Sequence, residues 1–363
     1  MGVPLFDTST PVAGLRARFD AAIASVLDSG RYILGPEVSA FESEFASYCG
    51  VRHAVGVANG TDAITIALRA MGVGPGDEVV VPSFTFYASA EAIPPTGATP
   101  VFCDVDPRTF CVTAETVRAA LSPRTKAVLA VHLFGNLAPV AEIEALGVPV
   151  LEDAAQAAGS LGPGGARAGA LGSAATFSFF PSKNLACFGD GGIVATDDEH
   201  IAETARTLRF HGSHDKVTYQ LLGYNSRLDE LQAAVLRVQL PHLDAWSDGR
   251  RAAAAHYEQA GLGELVELPL PTPGSAPAWH LYVVSHPQVE RLQAALADAG
   301  VGHKAYYRTP VHRQAPMRRW AEGVELPGTE QAARSHLAIP MSPVLTREQA
   351  EQVVAAARAA AVA

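Results

Sequence analysis

Three stretches of the 363-residue chain combine residue types that can do chemistry. In FSFFPSKNLACFGDGG, Lys183 follows Ser178 by five residues and stands among aromatic and small side chains rather than in a charged surface run. A lysine desolvated there would hold its proton less tightly and offer the free amine that forms an imine with a carbonyl. An ordinary solvated lysine is the plain alternative for this segment taken alone. In VPVLEDAAQ, an apolar run ends in Asp153, with Gln156 three residues on. Open α/β sheets bind their ligands at the carboxyl ends of such strands. A carboxylate there could face a cationic ligand atom, cap a helix or ligate a metal. In VANGTDAITIALRA, a short strand turns through Asn59, Gly60 and Thr61 into a helix closed by Gly72. The unpaired N–H groups of that turn suit a phosphate, Gly60 would let it approach, and Thr61 adds a hydroxyl; plain capping is the bland reading. The Asn-Gly-Thr triplet also matches a glycosylation acceptor, which a cytoplasmic chain would not use.

These three pieces converge on one cofactor, pyridoxal 5'-phosphate (PLP). A buried carboxylate at Asp153 would keep a pyridine nitrogen protonated, so that the ring can accept electrons from a carbanion. Ser178 and the helix start at Gly60 and Thr61 would give its phosphate two anchors, and Lys183 would hold its aldehyde as a Schiff base. Glu152, one residue earlier on the strand, must point to the opposite face of the sheet.

The elements that position these residues alternate in type. GDEVVVPS, ATPVFCDVD, TKAVLAVHLFG, VPVLED, ATFSFF and GGIVAT read as strands, with helix-like stretches such as TAETVRAALSP between them. That alternation predicts an α/β fold with a mainly parallel sheet and helices on both faces. A long helical stretch from Asp229 toward Gly261, bent at Pro241, should close the large domain. After the proline-rich segment 268–277, WHLYVVSH and VGHKAYY read as two strands of a small domain, with a helix from Gln288 to Ala299 between them and a last helix from Arg347. The expected division is 1–248, large and PLP-binding, and 249–363, small and α+β.

Composition excludes several classes. A formal charge of −10 with no basic stripe disfavours nucleic acid. The sequence shows neither a secretory signal nor an apolar run of the roughly 20 residues a membrane crossing needs, so a cytoplasmic chain is the expectation. Cys49, Cys103, Cys111 and Cys187 lack paired metal spacing and read as reduced and structural. His211 and His214 are interrupted by Gly212 and lack further ligands, so no metal is expected. No G-x-G-x-x-G follows the first strand and no P-loop occurs, against a nucleotide-binding dehydrogenase.

From GPEVSAFESEFASYCG through HAVGVANGTDA, GPGDEVVVPSFTF, EDAAQAAGS, FSFFPSKN, GDGG, RFHG and GYNSRLDELQAAVL to YRTPVH, the sequence resembles the DegT/DnrJ/StrS sugar aminotransferases over nearly its whole length. These are PLP-dependent enzymes of the aspartate-aminotransferase-like fold, fold type I, so the resemblance implies a seven-stranded sheet. It also implies that Lys183 forms the imine and shuttles the proton, Asp153 meets the ring nitrogen, and Gln156 lies near the ring hydroxyl. Gly60, Thr61 and Ser178 would hold phosphate and Phe86 would stack on the ring. Asn225 would reach a phosphate across the interface of a homodimer. The implied substrates are L-glutamate and a nucleotide-linked (dTDP or UDP) keto sugar, and the spelling of HLFGN, PSKNL and HGSHDK points to C3 rather than C4.

For the acceptor, Lys216, Arg227, Tyr306, Tyr307, Arg308 and His312 are candidates for sugar hydroxyls or diphosphate; salt bridges and core packing are their alternatives. A transaminase of small amines or keto acids would keep the same PLP chemistry. A noncatalytic PLP-binding regulator and a sugar dehydratase on the same fold are the other readings, and the lysine at 183 argues against both.

Overall fold

The computed structural model describes residues 2–362. Seven strands form one sheet: β1 (His53–Val57), β2 (Glu78–Pro82), β3 (Thr99–Cys103), β4 (Thr125–Val131), β5 (Val150–Asp153), β6 (Ala174–Ser178) and β7 (Gly192–Thr196). Their order is β1-β7-β6-β5-β4-β2-β3, parallel except where β7 runs against both its neighbours. This is the fold type I arrangement, with helices on both faces.

Both faces of the sheet are buried, so its strands are apolar throughout rather than alternating with polar residues. Along β2, Val79 and Val81 enter one core with Ile64, Ile66 and Leu68 of the helix Gly60–Ala70, whereas Val80 enters another with Phe84, Val128 and Ala130. A third cluster joins Phe177 and Ile193 to Phe41 and Phe45 of the helix Pro36–Cys49 and to Leu236. At residue 241 the proline removes a helical N–H, and the long helix divides as expected into Glu230–Gln239, a tight turn at Leu240–His242, and Leu243–Gln259.

A separate core gathers Ala253 and Tyr257 of that last helix, Leu292 and Leu296 of the helix Val289–Asp298, and Val353 and Ala357 of the helix Arg347–Val362. It packs on a two-stranded antiparallel sheet, β8 (Tyr282–Ser285) and β9 (His336–Ile339). Here one expectation is corrected. VGHKAYY is not a strand; only Lys304 pairs, exchanging both backbone bonds with Ala338 at 3.1 and 2.9 Å. Beyond it the chain turns, carrying Tyr306 and Tyr307 toward the large sheet. The strand that pairs with β8 is instead the four-residue run HLAI, ended by Pro340.

Candidate active site

The carboxyl ends of β5 and β6 and the turn after β1 open on one cavity of about 610 Å³. At its first wall, Asn59 is extended and caps the helix Gly60–Ala70, its side chain accepting from Asp62 N–H at 2.8 Å. The N–H groups of Gly60 and Thr61 donate to no group among the described residues. Only glycine fits at 60, because a Cβ there would lie 2.7 Å from the Cβ of Ser178. Close approach therefore sets the Ser178 hydroxyl beside two free helix-start N–H groups, a ready anion seat.

Asp153 ends β5 almost fully buried. Ser89 donates to its Oδ2 at 2.7 Å and Ala155 N–H to its Oδ1 at 3.2 Å; Thr85 in turn lies 3.0 Å from the Ser89 hydroxyl. The preceding residue, Glu152, points to the other face as strand alternation requires. There it meets His132 Nε2 at 2.8 Å and accepts from the N–H groups of Gly169, Leu171 and Gly172. Adjacent carboxylates thus serve different ends: Glu152 ties a loop to the sheet, and Asp153 lines the cavity.

Gln156 is fixed by its neighbours: its Oε1 accepts from Phe134 N–H at 2.7 Å and its Nε2 lies 3.4 Å from the Tyr307 hydroxyl. Lys183 sits in a turn closed by its own N–H on the Phe180 carbonyl at 2.8 Å. Burial pulls its ammonium pKa from 10.5 down to about 8, against the opposing pull of Asp153. That raises the fraction of free amine at neutral pH by orders of magnitude, roughly two. Burial also pushes the Tyr307 hydroxyl well above its ordinary range. Phe86 is about half exposed, with its ring 5.9 Å from that of Tyr307, on the cavity wall.

The cavity unites Gly60, Thr61, Phe86, Asp153, Gln156, Ser178, Lys183, Tyr306 and Tyr307. It does not include His312, a correction to the acceptor candidates. His312 is buried under a different surface, its Nδ1 2.6 Å from the Ser83 hydroxyl and its N–H on the same oxygen. Nor do Lys216, Arg227, Arg308 and Asn225 line it. Lys216 is exposed over the ring of Phe210, Arg308 reaches Glu290 and Gln293, and Asn225 is exposed beside an isolated bridge to Phe210. His214 lies 3.0 Å from the Thr207 hydroxyl. Sequence reasoning missed Ser89, Phe6 and His280, which all line the cavity. Ser89 carries no local signal: it lies in the short helix Tyr87–Glu91, and its partner Thr85 precedes that helix.

These residues suit a phosphorylated pyridine aldehyde: an anion seat, a buried carboxylate, an exposed aromatic face and a lysine with a depressed pKa share one cavity. The comparisons agree. The model of the DegT/DnrJ/EryC1/StrS aminotransferase family matches residues 14–358. The dTDP-3-amino-3,4,6-trideoxy-alpha-D-glucose transaminase of Streptomyces venezuelae is 47% identical, over 98% of this chain and 95% of that protein. A pleiotropic regulatory protein of Geobacillus stearothermophilus is 44% identical, over 98% and 97%. The crystal structure of S. venezuelae DesV in complex with a ketimine intermediate superposes with a TM-score of 0.93 at 45% identity, covering 99% of this chain and 98% of that one.

Proposed function

The chain belongs to the DegT/DnrJ/EryC1/StrS aminotransferase family, and on that premise we propose that it is a PLP-dependent transaminase. It moves an amino group from L-glutamate to C3 of a dTDP- or UDP-linked keto sugar. The observation that carries this reading is the placement of Lys183, with its depressed pKa, in one cavity with Asp153 and the free helix start at Gly60. The similarity to an enzyme named for a 3-amino sugar supports the C3 assignment.

Gly60 and Thr61 N–H and the Ser178 hydroxyl would hold the cofactor phosphate. Phe86 would cover the ring, Gln156 would stand near its hydroxyl, and Asp153, oriented by Ser89, would hold the pyridine nitrogen protonated. When bound, PLP supplies an electron sink for the pair left at the donor's α-carbon. Lys183 Nζ takes the proton from that carbon and returns one elsewhere in each half of the cycle, a role its lowered pKa suits. Tyr306 and Tyr307, which line the same cavity, would meet the acceptor sugar.

A homodimer completes the site in this proposal. Phe180, Phe188, Val217, Tyr219 and Leu222 are all more than half exposed, apolar side chains that a partner subunit would cover. Asn225 on this chain would reach the partner's cofactor phosphate, and Lys216 and Arg227 the substrate's charged groups. We take residues 1–248 and 249–363 as the two domains, with the cavity lined from both: Lys183 from the first, His280 and Tyr307 from the second. The four cysteines are free and buried, in keeping with a cytoplasmic enzyme, and no helix among the described residues could cross a membrane.

Acceptor profiling tests the proposal. PLP-loaded protein with L-glutamate should aminate dTDP- or UDP-3-keto sugars and leave simple aldehydes and keto acids nearly unreacted. Equal turnover of small keto acids would favour the small-substrate transaminase. No turnover of either would favour the regulator.

A further inference from the structure

Two arginines are buried to the same extent, and only one has a counter-ion. Arg209, 8% exposed, is paired with Glu42 and also donates to the Gly56 carbonyl. Arg250, also 8% exposed, has no carboxylate within ion-pair reach among the described residues. Its Nη1 donates to the main-chain oxygens of Trp279 at 3.1 Å and His280 at 3.4 Å, and its other nitrogens have no protein acceptor. Burial lowers its pKa to about 10, which leaves it charged at neutral pH. A buried cation held only by neutral carbonyls is costly unless an anion joins it in the working state.

Where that anion would sit is constrained. Arg250 lines a recess of about 50 Å³ that shares Phe6, Ser182 and Lys183 with the main cavity. Asp7 also lines the recess, but its Oδ1 accepts from the N–H groups of Ser9 and Thr10 and neither of its oxygens comes within ion-pair reach of Arg250. A site beside Lys183 is where the carboxylate of an α-amino acid must go, since it stands two bonds from the amine that is transferred. A sugar aminated at C3 carries its diphosphate on C1, two ring carbons from the reacting carbon, and places no anion two bonds from the transferred nitrogen. We infer that Arg250 is the receptor for the donor's carboxylate, and so the residue that selects an α-amino acid over a plain amine. This rests on the aminotransferase reading above, and applies to its donor half alone.

The test separates the two half-reactions in PLP-loaded protein. In Arg250→Gln, the L-glutamate concentration needed for half-maximal conversion of the cofactor should rise about 30-fold or more, the loss expected when a bidentate ionic hydrogen bond goes. Arg250→Lys should recover part of it. The acceptor half-reaction, started from pyridoxamine phosphate and keto sugar, should keep its KM. Calorimetry with glutarate, which cannot react, gives a readout besides turnover: binding to wild type, and at least tenfold weaker binding to Arg250→Gln. Melting temperatures of both variants report their folding, and Arg250→Lys carries the test if the glutamine variant does not fold. An unchanged glutamate dependence and unchanged glutarate affinity would overturn the inference, as would equal damage to both half-reactions. A wild type that binds glutarate through Arg250 but never reacts with L-glutamate would instead overturn the transaminase reading and leave the carboxylate site standing.

Discussion

Gly60→Ala places one methyl group where the account is most exposed. The added Cβ would stand 2.7 Å from the Ser178 Cβ and 3.2 Å from its Oγ, with the Ser178 Cα at 3.3 Å. Carbon atoms pack at roughly 3.5–4.0 Å, so the helix start and the end of β6 must separate by about 1 Å. An N–H···O bond of ordinary length stretched by that much is lost. Hydrogen bonds to a charged group contribute about 1.5–3 kcal/mol each, so losing one weakens the affinity for PLP by about 10- to 150-fold. The assay is fluorescence titration of apoprotein with PLP, alongside melting curves. The double variant Gly60→Ala/Ser178→Gly removes the two side-chain atoms the methyl meets and should recover stability but only part of the affinity, because the Ser178 hydroxyl is lost with them. A Gly60→Ala protein that melts like wild type and binds PLP within threefold of it would refute the assignment of this turn to the phosphate.

Lys183→Met should change how the apoprotein responds to pH. The unfolded chain keeps the Lys183 proton to about 10.5, whereas the folded one gives it up near 8. Between those values the unfolded chain holds more protons, so this group makes stability rise with pH across that window. The methionine variant lacks the rise: its melting temperature should gain on wild type below pH 8 and lose that gain progressively as pH rises to about 10.5, and parallel curves would contradict the burial of the amine. Asp153→Asn should lower kcat about 100-fold or more while PLP still binds, measured by single-turnover absorbance. Leu222→Asp, at an 87% exposed position, should shift the protein from dimer to monomer in sedimentation and weaken its hold on PLP; an unchanged dimer would place the interface elsewhere.

The sheet was readable because its strands, buried on both faces, are continuous apolar runs bounded by turn residues. The break at Pro241 was readable because a proline in a helix has one local consequence. That Asp153, Gly60 and Lys183 share one cavity was readable because the first two stand at a strand end and a helix start and the third in the turn just after a strand, where position follows from a few neighbouring residues. VGHKAYY misled because its alternation is that of a strand, while only Lys304 has a partner in register. The support of Asp153 by Ser89, 64 residues away, and the burial of Arg250 against the carbonyls of Trp279 and His280 depend on how distant segments approach. Local pattern does not encode those approaches. His312 sits close in sequence to two cavity tyrosines, yet its bond to Ser83 turns it to another side of the chain.

The chain has four lysines, at 126, 183, 216 and 304, and only Lys183 lines the cavity. The most direct test of the central claim is therefore to incubate the protein with PLP, reduce it with borohydride and locate the pyridoxyl label by peptide mass spectrometry. The account predicts one label per chain, on Lys183, and none after prior conversion of the cofactor by L-glutamate. Label spread over the other lysines, or an unlabelled Lys183, would contradict it.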